Sequence, residues 1–236
     1  MTIFSSIIIE GIQEAFRLIF TLDPIIFDIV LRSLWISGMA TLFASLWSIP
    51  IALFLAFRRF KGRWAIITFF NGLIGMPTVG LGLTLFLLFR RGGPLDTLHL
   101  WLTPMGIMIG QAILITPIII SFVVKALEDV DPGIRDLAKT LGASNTEASL
   151  KVLGEARTGT SLAVVTGFNR AISELGVASM VGGDVDNVTR VMTTAIEDVS
   201  NFARYDIAIA LAIILIAMAL TLTFVVNIFG GRFKRR

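Results

Sequence analysis

Five apolar runs, each long enough to cross a bilayer, take up most of the 236-residue chain and leave few folds open to it. A hydrocarbon core needs about 20 apolar residues per helix. Runs of that kind lie at about 28–57, 64–89, 103–124, 158–180 and 205–229. The chain is 55% hydrophobic, with a mean hydropathy of +0.85. Only 16% of its residues are charged, against about a quarter in soluble domains. The expectation is an all-α integral membrane protein with about five transmembrane helices. Residues 3–20 are apolar too, but Glu10, Gln13, Glu14 and Arg17 interrupt them at helical spacing. That pattern predicts an amphipathic helix lying at the membrane interface.

Basic residues set the orientation, because they are retained on the cytoplasmic side. Arg58, Arg59, Lys61 and Arg63 crowd the first connection, and Lys125, Arg135, Lys139, Lys151 and Arg157 lie in the third, at 125–157. The tail adds Arg232, Lys234, Arg235 and Arg236. Thirteen cations thus fall on one side and five on the other (Arg17, Arg90, Arg91, Arg190 and Arg204). The N-terminus is expected outside and the C-terminus in the cytoplasm. Glu10 and Glu14 near the start do not resemble a basic signal-peptide region, so the first span is expected to serve as the insertion signal. A net charge of +3 could suit nucleic acid, but the cations sit at the ends of apolar runs, so no nucleic-acid partner is expected. With no cysteine, disulfides and thiolate chemistry are excluded. The single His99 reads as an interfacial residue, and no metal or cofactor is expected.

Inside the spans, Ser33, Ser37, Thr41, Ser45 and Ser48 line one face of the first helix. Small hydroxyl residues let helices approach closely in lipid, so packing is the first reading and a pathway lining the second. In the second span Pro77 lacks a backbone donor and predicts a kink, which either serves helix packing or flexes as a gate. Pro117 in the third span reads the same way. The fourth span carries Thr166, Asn169, Arg170, Ser173 and Glu174 at i, i+3, i+4, i+7 and i+8, one polar stripe on an apolar helix. Arg170 would lie roughly 18 Å into a core of about 30 Å. A charge there costs at least about 2.5 kcal/mol unless compensated, and Glu174 one turn on can compensate it. The pair is either structural or the polar wall of a translocation path.

The third connection is organised rather than merely polar. Asp131-Pro132 fits an N-cap followed by proline in the first turn. Gly142 fits the left-handed residue that ends the helix. Ser144 and Glu147 make a capping box that opens a second helix. Two short helices around a glycine bend are expected to dock a partner. The chain has no phosphate-binding loop, no metalloprotease motif and no Ser–His–Asp set, so an enzyme is not expected.

The stretch DLAKTLGASNTEASLKVL, residues 136–153, resembles the coupling loop of permease subunits in type I ABC importers. Asp136, Ala138 and Gly142 occupy the family's glutamate, alanine and glycine places; Leu137 stands for an alanine, and the closing proline is absent. "VLGEAR", "FNRAISELG", "VGGDVDNVTRVMTTAI" and the early "LDP" are similar to the tungstate-type oxyanion permeases over nearly the whole chain. Departures lie at Asp184-Val185-Asp186-Asn187 and at Glu197-Asp198, on the side where a binding protein would dock.

The resemblance implies the type I (MetI-like) permease fold: a single membrane domain over 1–236, with the type-1 transmembrane region at 27–229. It implies a cytoplasmic ATPase partner held by Asp136, Ala138, Gly142, Ala143, Ser144, Glu147 and Ala148. It further implies an extracytoplasmic oxyanion-binding protein and a second copy of the chain. Tungstate is the expected substrate, with molybdate and sulfate next. A secondary anion transporter or channel working without an ATPase is the alternative.

Overall fold

Three helices of the computed structural model are long and apolar enough to cross a membrane, and a broken pair makes a fourth if it counts as one span. The model describes residues 2–21 and 23–233. Among them the chain forms α1 (Thr2–Thr21), α2 (Pro24–Phe57), α3 (Arg63–Leu73), α4 (Thr78–Phe89), α5 (Pro104–Glu128), α6 (Pro132–Thr140), α7 (Asn145–Glu155), α8 (Arg157–Ile172), α9 (Met192–Asn201) and α10 (Tyr205–Phe233), with no strand. The expected first, third and fifth spans are continuous as α2, α5 and α10. Pro50 and Pro117 lie inside α2 and α5 without ending them. The basic tail residues Lys234, Arg235 and Arg236 lie outside the described residues.

Two of the expected spans are interrupted. At 64–89 the helix stops at Leu73 and restarts at Thr78, with Pro77 extended at φ −63°, ψ 116° in the N-cap position of α4. Proline also disfavours a helical residue before it, so the expected kink is a complete break. At 158–180 the helix stops at Ile172 after 16 residues. Residues 173–175 are non-helical, and a short π-helical segment follows at Ala178–Gly182. The expected fourth span is therefore not one helix.

The chain clusters into two compact units. The first consists of Met1–Ala40, Pro77–Gln111 and Arg170–Thr221. One of its cores joins Ile29, Met192, Ala195 and Leu211, and another joins Leu85, Phe89, Val177 and Val181. Residues 181–204, expected as an outer connection, thus contribute α9 to the interior. Ser33 explains part of this: its hydroxyl accepts from the Met192 backbone N–H at 2.8 Å and donates to the Ile29 carbonyl at 2.7 Å. A side chain of α2 therefore satisfies a donor at the start of α9, one of the orphans every helix start leaves. Ser33, Ser37, Thr41 and Ser48 are all buried, as packing requires. α1 forms over the expected residues and packs Leu18 with Ala210 of α10, leaving Ile9, Phe16 and Phe20 exposed.

The second unit consists of Thr41–Met76, Ala112–Asn169 and Leu222–Arg236. α8 lies close on α5: a Cβ at Gly159 would come within 2.6 Å of Ala126. Arg63 donates to the Leu55 carbonyl at 2.6 Å and pairs with Glu128, fastening the start of α3 to the ends of α2 and α5. Trp47 donates to Thr116 at 2.8 Å.

Candidate functional site

The break after α8 is built around one carboxylate. Glu174 is 2% exposed. Its Oε2 accepts from Arg170 at 2.6 Å, and its Oε1 accepts from the Gly176 and Val177 backbone N–H groups at 2.8 and 3.3 Å. Its own carbonyl accepts from the Thr193 hydroxyl at 2.9 Å. Arg170 occupies the last turn of α8, where the helix dipole favours a cation, and Glu174 stands at the start of the next helical piece, where it favours an anion. The pair is thus compensated by charge, by backbone donors and by two helix ends. A buried carboxylate with this many partners does not depend on solvent.

Glycine lets another interrupted helix reach this break. A Cβ on Gly176 would lie 3.1 Å from the Val79 nitrogen, and one on Gly82 would lie 2.7 Å from the Gly176 carbonyl. The start of α4 and the 174–176 segment therefore meet backbone to backbone. A cleft of about 400 Å³ opens beside them, lined by Thr78, Arg170, Ser173, Glu174, Ser179 and Glu197 among others. Among its lining residues Arg170 is the one cation, faced by two carboxylates.

The expected polar stripe is only partly realised. Arg170, Ser173 and Glu174 line the cleft. Ser173 and Glu174 belong to the break and not to a continuous helix. Thr166 donates back to the Leu162 carbonyl and Asn169 donates to Thr223 at 2.7 Å, and neither lines the cleft. Pro77 is exposed beside its neighbour Thr78, which does. Thr78, Ser179 and Glu197 were not anticipated. They carry no periodic signal in the sequence, since three separate segments supply them.

The expected helix pair is present in detail. Asp131 caps α6 by accepting from the Gly133 N–H at 2.9 Å. Gly142 sits at φ +91°, a conformation that costs any other L-residue. The capping box is complete: Glu147 N–H donates to the Ser144 hydroxyl at 3.3 Å, and Ser144 N–H donates to the Glu147 carboxylate at 2.8 Å. The Ser144 backbone and then its side chain hold the Glu147 carboxyl below its ordinary value. Ala148 and Val152 anchor α7 in the interior. On the open side, Leu137 is 62% and Leu141 80% exposed. With Ala138, Gly142, Ala143 and Glu147 they line a shallow, mainly apolar groove. Asp136 stays exposed on α6.

The two departures from the family pattern meet in one feature. Asp184, Asp186 and Asp198 all pair with Arg190, at 2.8, 2.6 and 3.3 Å. Asp184 chiefly, with the other two, raises the Arg190 pKa. The Arg190 carbonyl in turn accepts from Arg32 at 3.0 Å. Three of the unusual acidic residues are therefore tied to a cation of their own chain, while Glu197 lines the Arg170 cleft.

Relatives bear on the same geometry. A family model described as binding-protein-dependent transport system inner membrane component matches residues 48–236. The tungstate uptake system permease protein TupB of Peptoclostridium acidaminophilum is 32% identical over 86% of this chain and 89% of its own. The protein of the same name from Campylobacter jejuni is 31% identical over 88% of this chain and 87% of its own. Among solved structures, a bacterial ABC transporter involved in import of the acidic polysaccharide alginate shares the fold, with a TM-score of 0.69 at 18% identity over 87% of this chain and 79% of that one. The capped helix pair, the apolar spans and these likenesses lead to one conclusion: this chain belongs to the family of binding-protein-dependent transport system inner membrane components, the permease subunits of ABC importers.

Proposed function

We propose that the chain is the permease subunit that carries a tetrahedral oxyanion, tungstate foremost, then molybdate or sulfate, into the cytoplasm. The observation that supports this most is the capped α6–α7 pair with its exposed Leu137 and Leu141, in a chain 32% identical to a tungstate permease. On this reading the pair is the grip of a separate ATPase, and ATP is hydrolysed there and not by this chain. The contacts fall to Asp136, Ala138, Gly142, Ala143, Ser144, Glu147 and Ala148. The residues 27–229 act as one membrane domain, 125–157 form the coupling loop, and α1 rests at the interface. The N-terminus lies outside and the C-terminus in the cytoplasm. A second copy of the chain completes the path, which suits an α10 whose apolar window is only 11% buried.

Closure of the ATPase pair moves α6–α7 and switches the spans between two states, as any transport cycle requires of its two-state element. Within the path, Arg170 offers an oxyanion hydrogen bonds from a guanidinium, and Thr78, Ser173 and Ser179 add hydroxyls. Glu174 and Glu197 keep that attraction weak. Conduction needs a site favourable enough to enter and weak enough to leave. Pro77 and the break beside it supply the gate. An extracytoplasmic binding protein delivers the anion and sets most of the selectivity.

The test is tungstate uptake into liposomes holding the chain with its ATPase and binding protein. Uptake is expected only with ATP, and molybdate is expected to compete better than sulfate. Flux that persists with the ATPase disabled would sink the proposal and favour a secondary transporter.

A further inference from the structure

A second cleft, in the unit that carries α6 and α7, holds three cations and no carboxylate. Arg58, just past the end of α2, faces Arg135 and Lys139, which lie one turn apart on α6. Leu53, Phe54 and Phe57 of α2 form the apolar wall. The Arg135 guanidinium lies over the Phe57 ring at 4.7 Å, and its Nε is buried without a hydrogen-bond partner. Three other cations of this unit are neutralised, Arg63 by Glu128, Lys125 by Asp129 and Lys151 by Glu155. Among the described residues no carboxylate lies within ion-pair distance of Arg58, Arg135 or Lys139. Polar side chains from the first turns of α7, Asn145, Thr146 and Ser149, complete the rim.

Where the cleft lies along α2 narrows the ligand. The apolar run of α2 ends at Phe57 and Arg58 follows directly. A cation at the end of a spanning helix stands at the level of lipid headgroups. Phe54, half exposed on the same wall, can lie along an acyl chain. Three unpaired cations over an aromatic and aliphatic wall match an anionic phosphate with a hydrocarbon tail, and basic pockets beside spanning helices bind such headgroups. We infer that the cleft of Arg58, Arg135 and Lys139 binds the phosphate headgroup of an anionic phospholipid. The lipid would then brace the end of α2 against α6 and α7. The site is separate from the Arg170–Glu174 cleft, and the inference does not depend on what the transporter carries.

The experiment uses the full chain in detergent, with binding followed by native mass spectrometry. The probes are short-chain phosphatidylglycerol, phosphatidylcholine of the same chain length, and inorganic phosphate. Phosphatidylglycerol is expected to bind more than tenfold tighter than phosphatidylcholine. The double variant Arg58→Gln/Lys139→Gln should weaken it about 25-fold, at about fivefold per cation. Arg59→Gln/Lys61→Gln, which alters cations outside the cleft, should leave it within about twofold of the unmodified chain. Arg58→Gln alone serves if the double variant does not fold, with about a fivefold loss. Equal binding of the two lipids, or equal loss in both double variants, overturns the site. Inorganic phosphate binding as tightly as the lipid overturns the lipid assignment. Loss of lipid binding once the ATPase subunit is assembled would make the cleft a protein contact instead.

Discussion

The α6–α7 pair and the break after α8 are both short, polar and glycine-containing, yet they are held in opposite ways. The helix pair is specified by neighbours in sequence: Asp131 on Gly133, Ser144 on Glu147, and a left-handed Gly142 between them. The break adds to its local Glu174 contacts a set of partners brought from afar: Thr193 on the Glu174 carbonyl, Gln111 on the Ala171 carbonyl, and Val79 against Gly176. A locally specified element keeps its shape when its surroundings move, which suits a part that transmits force. An element held by distant contacts changes when those contacts do, which suits a part that opens.

Glu174 offers the hardest test of that contrast. Glu174→Leu leaves Arg170 without its partner and two backbone N–H groups unmet. Removing one member of a buried pair costs about 3–5 kcal/mol, and with Arg170 a third exposed the lower end, about 3, is expected. Thermal unfolding in detergent should show the loss, and Glu174→Leu/Arg170→Met should recover more than half of it. No recovery would mean that the backbone contacts, and not the charge pair, hold the break.

Gly142 should respond less in stability and more in coupling. Nothing lies within 4 Å of a Cβ placed there, so Gly142→Ala costs only the left-handed strain of about 1–2 kcal/mol. Gly142→Asp is expected to leave the permease inserted and assembled while ATP-dependent uptake falls at least tenfold. Unchanged uptake would remove α6–α7 from the coupling path. Ser144→Ala should cost about 1 kcal/mol, the usual worth of an N-cap, read as faster amide exchange confined to the start of α7.

The Arg190 cluster should tolerate more. With Asp186 and Asp198 remaining, Asp184→Asn is expected to cost under about 1 kcal/mol, and transport should persist. Smallest of all is the pH effect at Glu147. Its carboxyl is held below the ordinary 4.5, so the contribution of the capping box is complete above that pH. It fades only as pH falls through the lowered value. Amide exchange at the first turn of α7 should therefore be flat from pH 8 to 5 after correction for intrinsic rates. A rise centred near neutral pH would contradict the assignment.

Much of the molecule was legible from the chain alone, and the reasons are local. A run of about 20 apolar residues must be buried in lipid, so α2, α5 and α10 follow from composition. Capping signals act over three residues, so the α6–α7 pair could be placed almost residue by residue. Periodicity did place Arg170 and Glu174 together. It also made their helix continuous, because no proline marks the stop at Ile172. What ends α8 is the carboxylate of Glu174 turning to the N–H groups of Gly176 and Val177, made possible by close contact with α4. Asp184, Asp186 and Asp198 looked like separate departures from a pattern until one arginine joined them. The inward fold of α9 likewise depends on a serine 159 positions away. Hydrocarbon content and short-range caps determined the continuous spans and the α6–α7 pair. Only the tertiary structure decided where the helices break and which of the nearby charges meet, because those local turns are fixed by packing against segments distant in sequence, such as Val79 against Gly176 and Thr193 on the Glu174 carbonyl.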